Sequence, residues 1–378
     1  MKPFSLLSLA LVGAALAQNS RTSLTDALES KNDTLSELNG LIRAQPGLAR
    51  SLSRLSNITI LAPSNDAIQE LLNDTAIAKK VAADPSIIGA VLQYHVLNGT
   101  YYASNITDTP TFVKTLLTNE TYSNVTGGQV VEAVAIDDTV SFYSGIRAQA
   151  NVTEANLNFT GGTIHIINRV LNIPRNITDT AIAANLSAVV GAFTEADVAE
   201  DVVDAKNITV FAPNNAAFAN IGSVVGDLSS DDLESILKYH IVNGTVGYSS
   251  TLRNGTLRTS EGEDINIAIH DGDVFVNEAK VVIPDVLIAN GVLHVIDGVL
   301  NPENPSATAN PTAETQAPAF SGASSASDVG VPFTSGVPQG TEQATGLTTS
   351  TSTEGAPQAT AAIALGALLG GAAIVMNY

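Results

Sequence analysis

The feature that most constrains the fold of this chain is an internal duplication. Residues 57–68 (NITILAPSNDAI) reappear as residues 207–218 (NITVFAPNNAAF). Each copy is a short apolar run rich in β-branched residues that ends at a proline, which is typical of a buried strand leading into a helix. We expect Asn65 and Asn215 to be the N-caps of those helices.

Two further pairs of motifs occur in the same order in both halves. Residues 93–96 (QYHV) match residues 238–241 (KYHI), and residues 162–168 (GTIHIIN) match residues 291–297 (GVLHVID). Three matched motifs in one order indicate that the chain contains one structural unit twice.

The hydrophobic period changes along each unit. Leu35, Leu38 and Leu41 have the spacing of a helix that buries one face, and short apolar runs at 87–92 and 233–237 predict a helix before each Tyr-His pair. Asp231 and Glu234 fit the start of the second of these helices. Each Tyr-His pair is therefore expected where a helix ends and a strand begins.

Alternation with a period of two follows the Tyr-His pairs. Apolar residues alternate with polar ones across 265–269 and 274–276, and Asp271-Gly272 between them predicts a hairpin turn. Residues 130–136 and 140–143, joined by Asp137-Asp138, are the counterpart. Helices followed by an antiparallel sheet predict an α+β fold for each unit.

These motifs resemble those of the fasciclin-domain (FAS1) family. The resemblance covers about residues 22–300 and implies two tandem modules, each with short N-terminal helices packed on a mainly antiparallel sheet or wedge. We place the first module at residues 20–173 and the second at 176–300, with residues 174–176 as a short joint. The first unit is about 16 residues longer between its Tyr-His pair and its last histidine, and we expect the insertion in a glycosylated surface loop at 105–128.

Two interpretations of the Tyr-His pairs remain open. Tyr94-His95 and Tyr239-His240 could be structural, half-buried with their polar atoms hydrogen-bonded. Alternatively, the family resemblance implies adhesive contacts through these pairs and through an Asp-x-x segment before the last strand. That segment is Asp285, Val286 and Leu287 in the second unit, whereas residues 154–157 of the first unit lack the aspartate.

The sequence shows no recognisable catalytic or cofactor motif. The chain has no cysteine, and its five histidines are not at metal-ligand spacing. No nucleophile elbow or phosphate-binding glycine loop occurs. We therefore expect no catalytic residues, no metal and no cofactor, although a glycosidase-like pair of carboxylates across a cleft would leave no mark in the sequence.

Both ends of the chain indicate a secreted, anchored glycoprotein. Residues 1–17 are predicted to be a signal peptide, and residues 301–358 a disordered Ser/Thr/Pro-rich stalk. Residues 359–378 are predicted to be the hydrophobic tail of a glycosylphosphatidylinositol (GPI) signal. Ser350 is the favoured acceptor for the anchor, with Gly346 or Gly355 as alternatives. Asn-x-Ser/Thr sequons make the surface a candidate for heavy N-glycosylation. They begin at Asn32, Asn57, Asn73, Asn98, Asn105, Asn119, Asn124, Asn151, Asn158, Asn176, Asn185, Asn207, Asn243 and Asn254.

Charge restricts the choice of partner. The net charge of −20 would repel nucleic acid and anionic membrane surfaces. The leading hypothesis is a non-enzymatic adhesion or cell-wall glycoprotein that binds surface glycans or proteins, with self-association included, and is held at the cell surface by its lipid anchor. One alternative is a vacuolar-membrane protein active in vacuolar or autophagic membrane fusion, in which the tail remains as a membrane span. Another is an enzyme that acts on wall polysaccharide.

Overall fold

A computed structural model describes residues 22–73, 79, 81–313, 315–325 and 330–338. The predicted signal peptide, the Ser350 anchor site and the hydrophobic tail lie outside the described residues. Within them, each half of the chain forms its own seven-stranded sheet. No helix in this part of the chain is both long enough and apolar enough to span a membrane.

The first module begins with helices and continues with strands. Its helices are α1 (Leu24–Glu29), α2 (Asn32–Ala44), α3 (Pro46–Leu52), α4 (Asn65–Asn73) and α5 (Ser86–Tyr94). Its strands are β1 (Ile58–Pro63), β2 (Val96–Asn98), β3 (Thr111–Lys114), β4 (Val130–Ile136), β5 (Thr139–Tyr143), β6 (Gln149–Phe159) and β7 (Gly162–Ile167). A 3₁₀ turn at Gly145–Arg147 joins β5 to β6.

The second module repeats this order. Its helices are α6 (Ile177–Ala183), α7 (Ser187–Glu195), α8 (Ala199–Asp204), α9 (Asn215–Asn220), α10 (Gly222–Val225) and α11 (Ser230–Tyr239). Its strands are β8 (Ile208–Pro213), β9 (Ile241–Val242), β10 (Gly255–Arg258), β11 (Asp264–His270), β12 (Asp273–Val276), β13 (Ala279–Ile288) and β14 (Gly291–Ile296). Both predicted hairpins, β4–β5 and β11–β12, are present, and the prediction of two α+β modules is confirmed.

The duplicated motif forms the second strand from one edge of each sheet. β1 runs parallel to β7 and β8 parallel to β14, whereas the other strand pairs are antiparallel. Gly162 and Gly291 begin the last strands, where a Cβ atom would lie 1.8 Å from the Ile58 carbonyl oxygen and 1.9 Å from the Ile208 carbonyl oxygen. Glycine is therefore required at both positions for the parallel strands to pair.

Each module closes around its own apolar interior. One cluster of buried residues lies between the helices and the sheet of each module, and a second cluster lies beneath the outer strands of each sheet. A small fifth cluster, Ile146, Ala148 and Ala183, lies where the modules meet. The duplication in the sequence is therefore a duplication of hydrophobic cores.

The helix caps differ from those expected. Ser64 and Asn214, one residue before Asn65 and Asn215, cap α4 and α9, and Ser229 with Asp232 forms the capping box of α11. The side chains of Asn65 and Asn215 instead accept the backbone N–H groups of Glu37 in α2 and Ala188 in α7, respectively. In each module two adjacent residues could cap the helix. The residue directly after the proline that ends the strand takes the N-cap position.

The insertion at 105–128 is not a free surface loop. It contains β3, whose Val113 is buried, and Leu117 beyond it is completely buried. Glu120, Asn124 and Thr126 contact the second module, where the Asn124 N–H donates to the Ala289 carbonyl oxygen at 2.8 Å. The extra length of the first module therefore builds part of the contact between modules.

The first part of the predicted stalk lies against the second module. No helix or strand occurs between residue 301 and residue 338 within its described stretches. Nevertheless, Phe320, Val331 and Phe333 pack against the core cluster between the helices and sheet of the second module. A few apolar side chains in a polar, small-residue segment are sufficient for this contact.

Candidate functional site

The two Tyr-His pairs occupy equivalent and buried positions. Tyr94 and Tyr239 end α5 and α11, and each histidine follows immediately as the C-cap. Neither tyrosine ring is exposed. The Tyr94 hydroxyl donates to the Val130 carbonyl oxygen at 2.9 Å, and the Tyr239 hydroxyl donates to the Asp264 carbonyl oxygen at 3.0 Å. Each tyrosine thus ties a helix end to a neighbouring strand.

The histidines of these pairs use both ring nitrogens within the fold. Nδ1 of His95 lies 2.7 Å from the Val91 carbonyl oxygen, and its Nε2 accepts the Leu171 N–H at 2.9 Å. His240 repeats the arrangement with the Ile236 carbonyl oxygen at 2.7 Å and the Leu300 N–H at 3.0 Å. Because Nε2 accepts, the proton is on Nδ1. Burial lowers the pKa of both histidines to about 4, so both are neutral at physiological pH.

The histidines of the last strands form a second matched pair with the opposite tautomer. Nε2 of His165 donates to the Tyr101 carbonyl oxygen at 2.7 Å, and Nε2 of His294 donates to the Gly247 carbonyl oxygen at 2.8 Å. Their Nδ1 atoms accept the N–H groups of Asn156 and Asp285, both at 3.3 Å. Burial lowers the pKa of both imidazoles. All four histidines therefore serve as neutral connectors.

The segment Asp285, Val286 and Leu287 is also buried. Asp285 lies at a bulge in β13 with a positive φ of 60°, and its carboxylate accepts both the N–H and the hydroxyl of Ser249. Its counterpart in the first module is Asn156, with φ of 63°, which bonds its own module's last histidine through the same N–H. Counting back nine residues from each final histidine identifies this pair, whereas the expected alignment was one residue out of register.

All seven predicted binding residues thus face the protein interior. A partner could not reach their side chains in this conformation, and every polar group among them has an internal partner. The geometry favours the structural interpretation of the Tyr-His pairs. Their adhesive role stays a prediction from the resemblance.

A buried ion pair of the first module lies at its contact with the second module. The Arg147 side chain is fully buried, and its Nη1 atom lies 3.0 Å from Oε2 of Glu132. The same nitrogen donates to the carbonyl oxygens of Pro284 at 3.0 Å and Asp285 at 3.2 Å, which the bulge in β13 leaves available. Burial raises the pKa of Glu132 to about 7, although the Arg147 charge acts in the opposite direction.

Further contacts extend this interface to the end of β13 and to the segments around Tyr248 and Asn207. Gln129 donates to the Ile288 carbonyl oxygen at 3.0 Å, and the rings of Phe112 and Tyr248 stack with centroids 4.0 Å apart. Asn207 accepts the Thr126 N–H at 2.7 Å. Sequence reasoning missed Arg147 and Glu132 as interface residues; the usable signal was an arginine between the apolar residues Ile146 and Ala148.

The sequon asparagines all lie outside the buried interior. Nine are exposed: Asn32, Asn57, Asn73, Asn98, Asn105, Asn119, Asn158, Asn243 and Asn254. The other five are partly exposed: Asn124, Asn151, Asn176, Asn185 and Asn207. At one end of the first sheet, three sequons occur on or beside the adjacent strands β2, β1, β7 and β6, since Asn98 pairs with Ile58 and Asn158 with Thr163. Glycans there would cover one end of the module.

Three carboxylates line a described cleft between the modules. This cleft of about 350 Å³ is lined by Glu120, Asp179 and Asp204, among others. The Lys206 ammonium lowers the pKa of Glu120, the opposite of what a general acid requires. The described residues contain no cluster of histidine and carboxylate side chains able to hold a metal ion.

Comparison with known proteins follows the two modules. The family model described as "Fasciclin domain" matches residues 33–174 and 184–302. The chain is 33% identical over 313 residues to the fasciclin-like arabinogalactan protein of Arthroderma benhamiae, covering 82% of this chain and 74% of that protein. It is 34% identical over 302 residues to the fasciclin-like arabinogalactan protein elcF of Phaeosphaeria nodorum, covering 79% and 93%.

More distant similarity reaches animal proteins. Human periostin is 32% identical over 163 residues, which is 41% of this chain and 19% of periostin. Among solved structures, a FAS1 domain pair from the insect cell adhesion molecule fasciclin I aligns with a TM-score of 0.36 at 19% identity, covering 72% of this chain and 98% of the other.

Proposed function

Because the chain belongs to the fasciclin-domain family, we propose that it is a non-enzymatic glycoprotein of the cell surface or cell wall that mediates adhesion. The fungal relatives named above are fasciclin-like arabinogalactan proteins and match most of the chain, which supports a surface location. The proposal concerns the outer surface of the two modules and not a catalytic cleft.

The division between the interior and the surface carries this proposal. The histidines of the Tyr-His pairs and of the last strands form hydrogen bonds inside the fold. All four are buried and neutral. In contrast, all fourteen sequon asparagines lie outside the buried interior. Groups available to a partner are therefore surface side chains and any attached glycans.

We further propose attachment through a GPI anchor at Ser350. The stalk would then hold the module pair away from the bilayer, and many copies would be displayed on one surface. Weak contacts of single modules with glycans, matrix proteins or like modules are strengthened when both partners are tethered, since tethering raises the effective concentration.

Deletion and release of the anchor test the proposal together. Cells that lack the gene should attach less to a matrix-coated surface, and complementation should restore attachment. Treatment with a phosphatidylinositol-specific phospholipase should release the protein into the medium and lower attachment to the level of the deletion strain. Unchanged attachment after complete release would contradict an adhesive role, whereas retention on membranes with the C-terminal tail intact would contradict the lipid anchor alone.

A further inference from the structure

A segment of the chain covers the helical face of the second module. This C-terminal segment, defined as residues 319–325 and 330–337, packs against the core cluster through Phe320, Ala323, Val331, Phe333 and Val337. The Phe333 ring meets the Phe218 ring edge-on, with centroids 5.8 Å apart and planes at 81°. The Ser324 N–H donates to the Ser223 hydroxyl at 2.9 Å. The segment is thus held by an aromatic anchor and by backbone hydrogen bonds.

A glycine makes the close approach of this segment possible. A Cβ atom on Gly191 of α7 would lie 1.7 Å from the Phe333 carbonyl oxygen. Any side chain at this position would displace the segment, because the contact is with backbone and not with a flexible side chain. The helix surface around Gly191 and Phe218 therefore accommodates the backbone of a polypeptide segment that contains turns.

The first module repeats this surface without a described occupant. The sequence LSELNGLI around α2 aligns with LSAVVGAF around α7, which makes Gly40 the equivalent of Gly191. In the same way, Ile68 of α4 is the equivalent of Phe218 of α9. A Cβ atom on Gly40 would meet nothing within 4 Å.

An apolar groove of about 70 Å³ lies on the first module, and its lining includes Leu41, the residue that follows Gly40 in α2. It is lined by Leu38 and Leu41 of α2, by Ile68 and Leu72 of α4, and by Ile88 of α5, among others. Leu72 is 47% exposed, one of the most exposed large apolar side chains in the described part of the chain. Its lining contains no charged side chain, which disfavours a glycan or an ionic ligand and favours an uncharged apolar segment.

We propose that this groove of the first module binds a segment of a partner protein without helix or strand, in which a phenylalanine or similar aromatic residue is flanked by small uncharged residues. The sequence of residues 319–337 shows this chemistry, since it has two phenylalanines among mainly serine, glycine, alanine and valine, with Asp328 as its one charge. The proposal rests on the proposed adhesive function only in naming a partner class. Its test measures binding, so that the two can fail separately.

A peptide of residues 317–338 of this chain is the probe. It is labelled with a fluorophore and titrated with purified full-length protein, after enzymatic removal of N-glycans because Asn73 beside Leu72 is a sequon. We expect saturable binding with one peptide per chain, since the second module already holds its own copy. Gly40→Leu and Leu72→Glu should each weaken binding at least tenfold.

Matched variants control for general effects on the surface. Gly47→Leu on α3 adds a side chain where a Cβ atom also meets nothing within 4 Å, and Val282→Glu adds a charge at an exposed valine of β13 that is 42% exposed. Both should bind the peptide as the unmodified protein does. Gly191→Leu, which blocks the surface of the second module, should also leave binding intact.

Three results would overturn the proposal. One is an absence of peptide binding at millimolar concentration, and another is equal binding to the Gly40→Leu variant and to the unmodified protein. The third is binding that is lost in the Gly191→Leu variant and retained in the Gly40→Leu variant. That result would show exchange with the chain's own segment on the second module.

Discussion

A buried imidazole with one donating and one accepting nitrogen cannot be replaced without orphaning a backbone group. Removal of the His240 side chain leaves the Leu300 N–H without its acceptor and opens a cavity behind α11. His240→Ala should therefore lower the free energy of unfolding by about 1–3 kcal/mol, as expected for an unsatisfied buried donor. Urea denaturation followed by circular dichroism measures this loss.

His270 provides the control at the same residue type. It ends β11 at an exposed position, and His270→Ala should change stability by less than about 0.5 kcal/mol. Adhesion of the His240→Ala protein should fall only in proportion to its unfolded fraction. Lost adhesion with unchanged stability would show that the Tyr-His pair contacts a partner directly.

At the scale of the element, the helix-to-strand junctions should be sensitive to acid. The pKa of His95 and His240 is about 4 in the folded protein and near 6.5 when unfolded, so the unfolded chain binds more protons between these values. Their contribution is complete above pH 6.5 and is lost as the pH falls towards 4. Each shift corresponds to about 3 kcal/mol.

Stability measured as a function of pH needs a reference protein, because two buried carboxyl groups change stability with pH in the opposite direction to the histidines. Burial raises the pKa of Glu132 and Glu278 to about 7, so their contribution is present at low pH and is lost as the pH rises through 7. Comparison with the double variant His95→Gln/His240→Gln cancels this effect. Between pH 6.5 and 4 the unmodified protein should lose stability relative to the double variant, and parallel pH profiles would contradict the assignment.

The second prediction at this scale concerns the parallel strand pair of the second module, β8 and β14. Gly291→Ala places a Cβ atom against the Ile208 carbonyl oxygen, so the β8–β14 pair must separate. We expect a loss of about 3 kcal/mol, within the range for overpacking a tight site, measured by thermal unfolding. Gly226→Ala, where a Cβ atom meets nothing within 4 Å, should be close to neutral. Equal stability of the two variants would contradict the steric argument.

Local patterns identified the repeated elements, but tertiary contacts decided the details. The period of two across 265–276 and the apolar run before Pro213 were sufficient to place β11, β12 and β8. The caps of α4 and α9 were misplaced by one residue because Ser64-Asn65 and Asn214-Asn215 each offer two acceptors. The cap of α11 is Ser229, two residues before the expected Asp231. The bulge that aligns Asp285 with Asn156 depends on pairing with a distant strand, which no local pattern records.

At the scale of the whole molecule, the two modules are joined because side chains of the first module donate hydrogen bonds to backbone carbonyl groups of the second. Arg147 and Gln129 donate to the carbonyl oxygens of Pro284 and Ile288 in β13. Asn124 of the inserted segment donates to the carbonyl oxygen of Ala289, which follows β13. No periodicity in the sequence predicts such an interface. The predicted short joint at 174–176 agrees with it, since the Arg175 carbonyl oxygen accepts the Ala289 N–H at 2.7 Å.

The Arg147–Glu132 pair is the centre of this interface and the subject of the last prediction. Arg147→Met leaves Glu132 buried without a cation, and the loss of one partner from a buried pair costs about 3–5 kcal/mol. The variant also loses the donors to Pro284 and Asp285, so the modules should separate and increase the radius of gyration in small-angle X-ray scattering.

The charge and the contact between modules can be separated by a second variant. In Glu132→Gln/Arg147→Met no charge is left without a partner, so unfolding at pH 7 should require more urea than for Arg147→Met alone, while the modules remain separated. Because the Arg147 charge lowers the pKa of Glu132 against the effect of burial, its removal raises that pKa further, so the cost of the single variant should grow as the pH rises above 7 and stay constant below it. If the double variant is as unstable as the single one at every pH, the arginine acts through packing and hydrogen bonding to the second module and not through its charge.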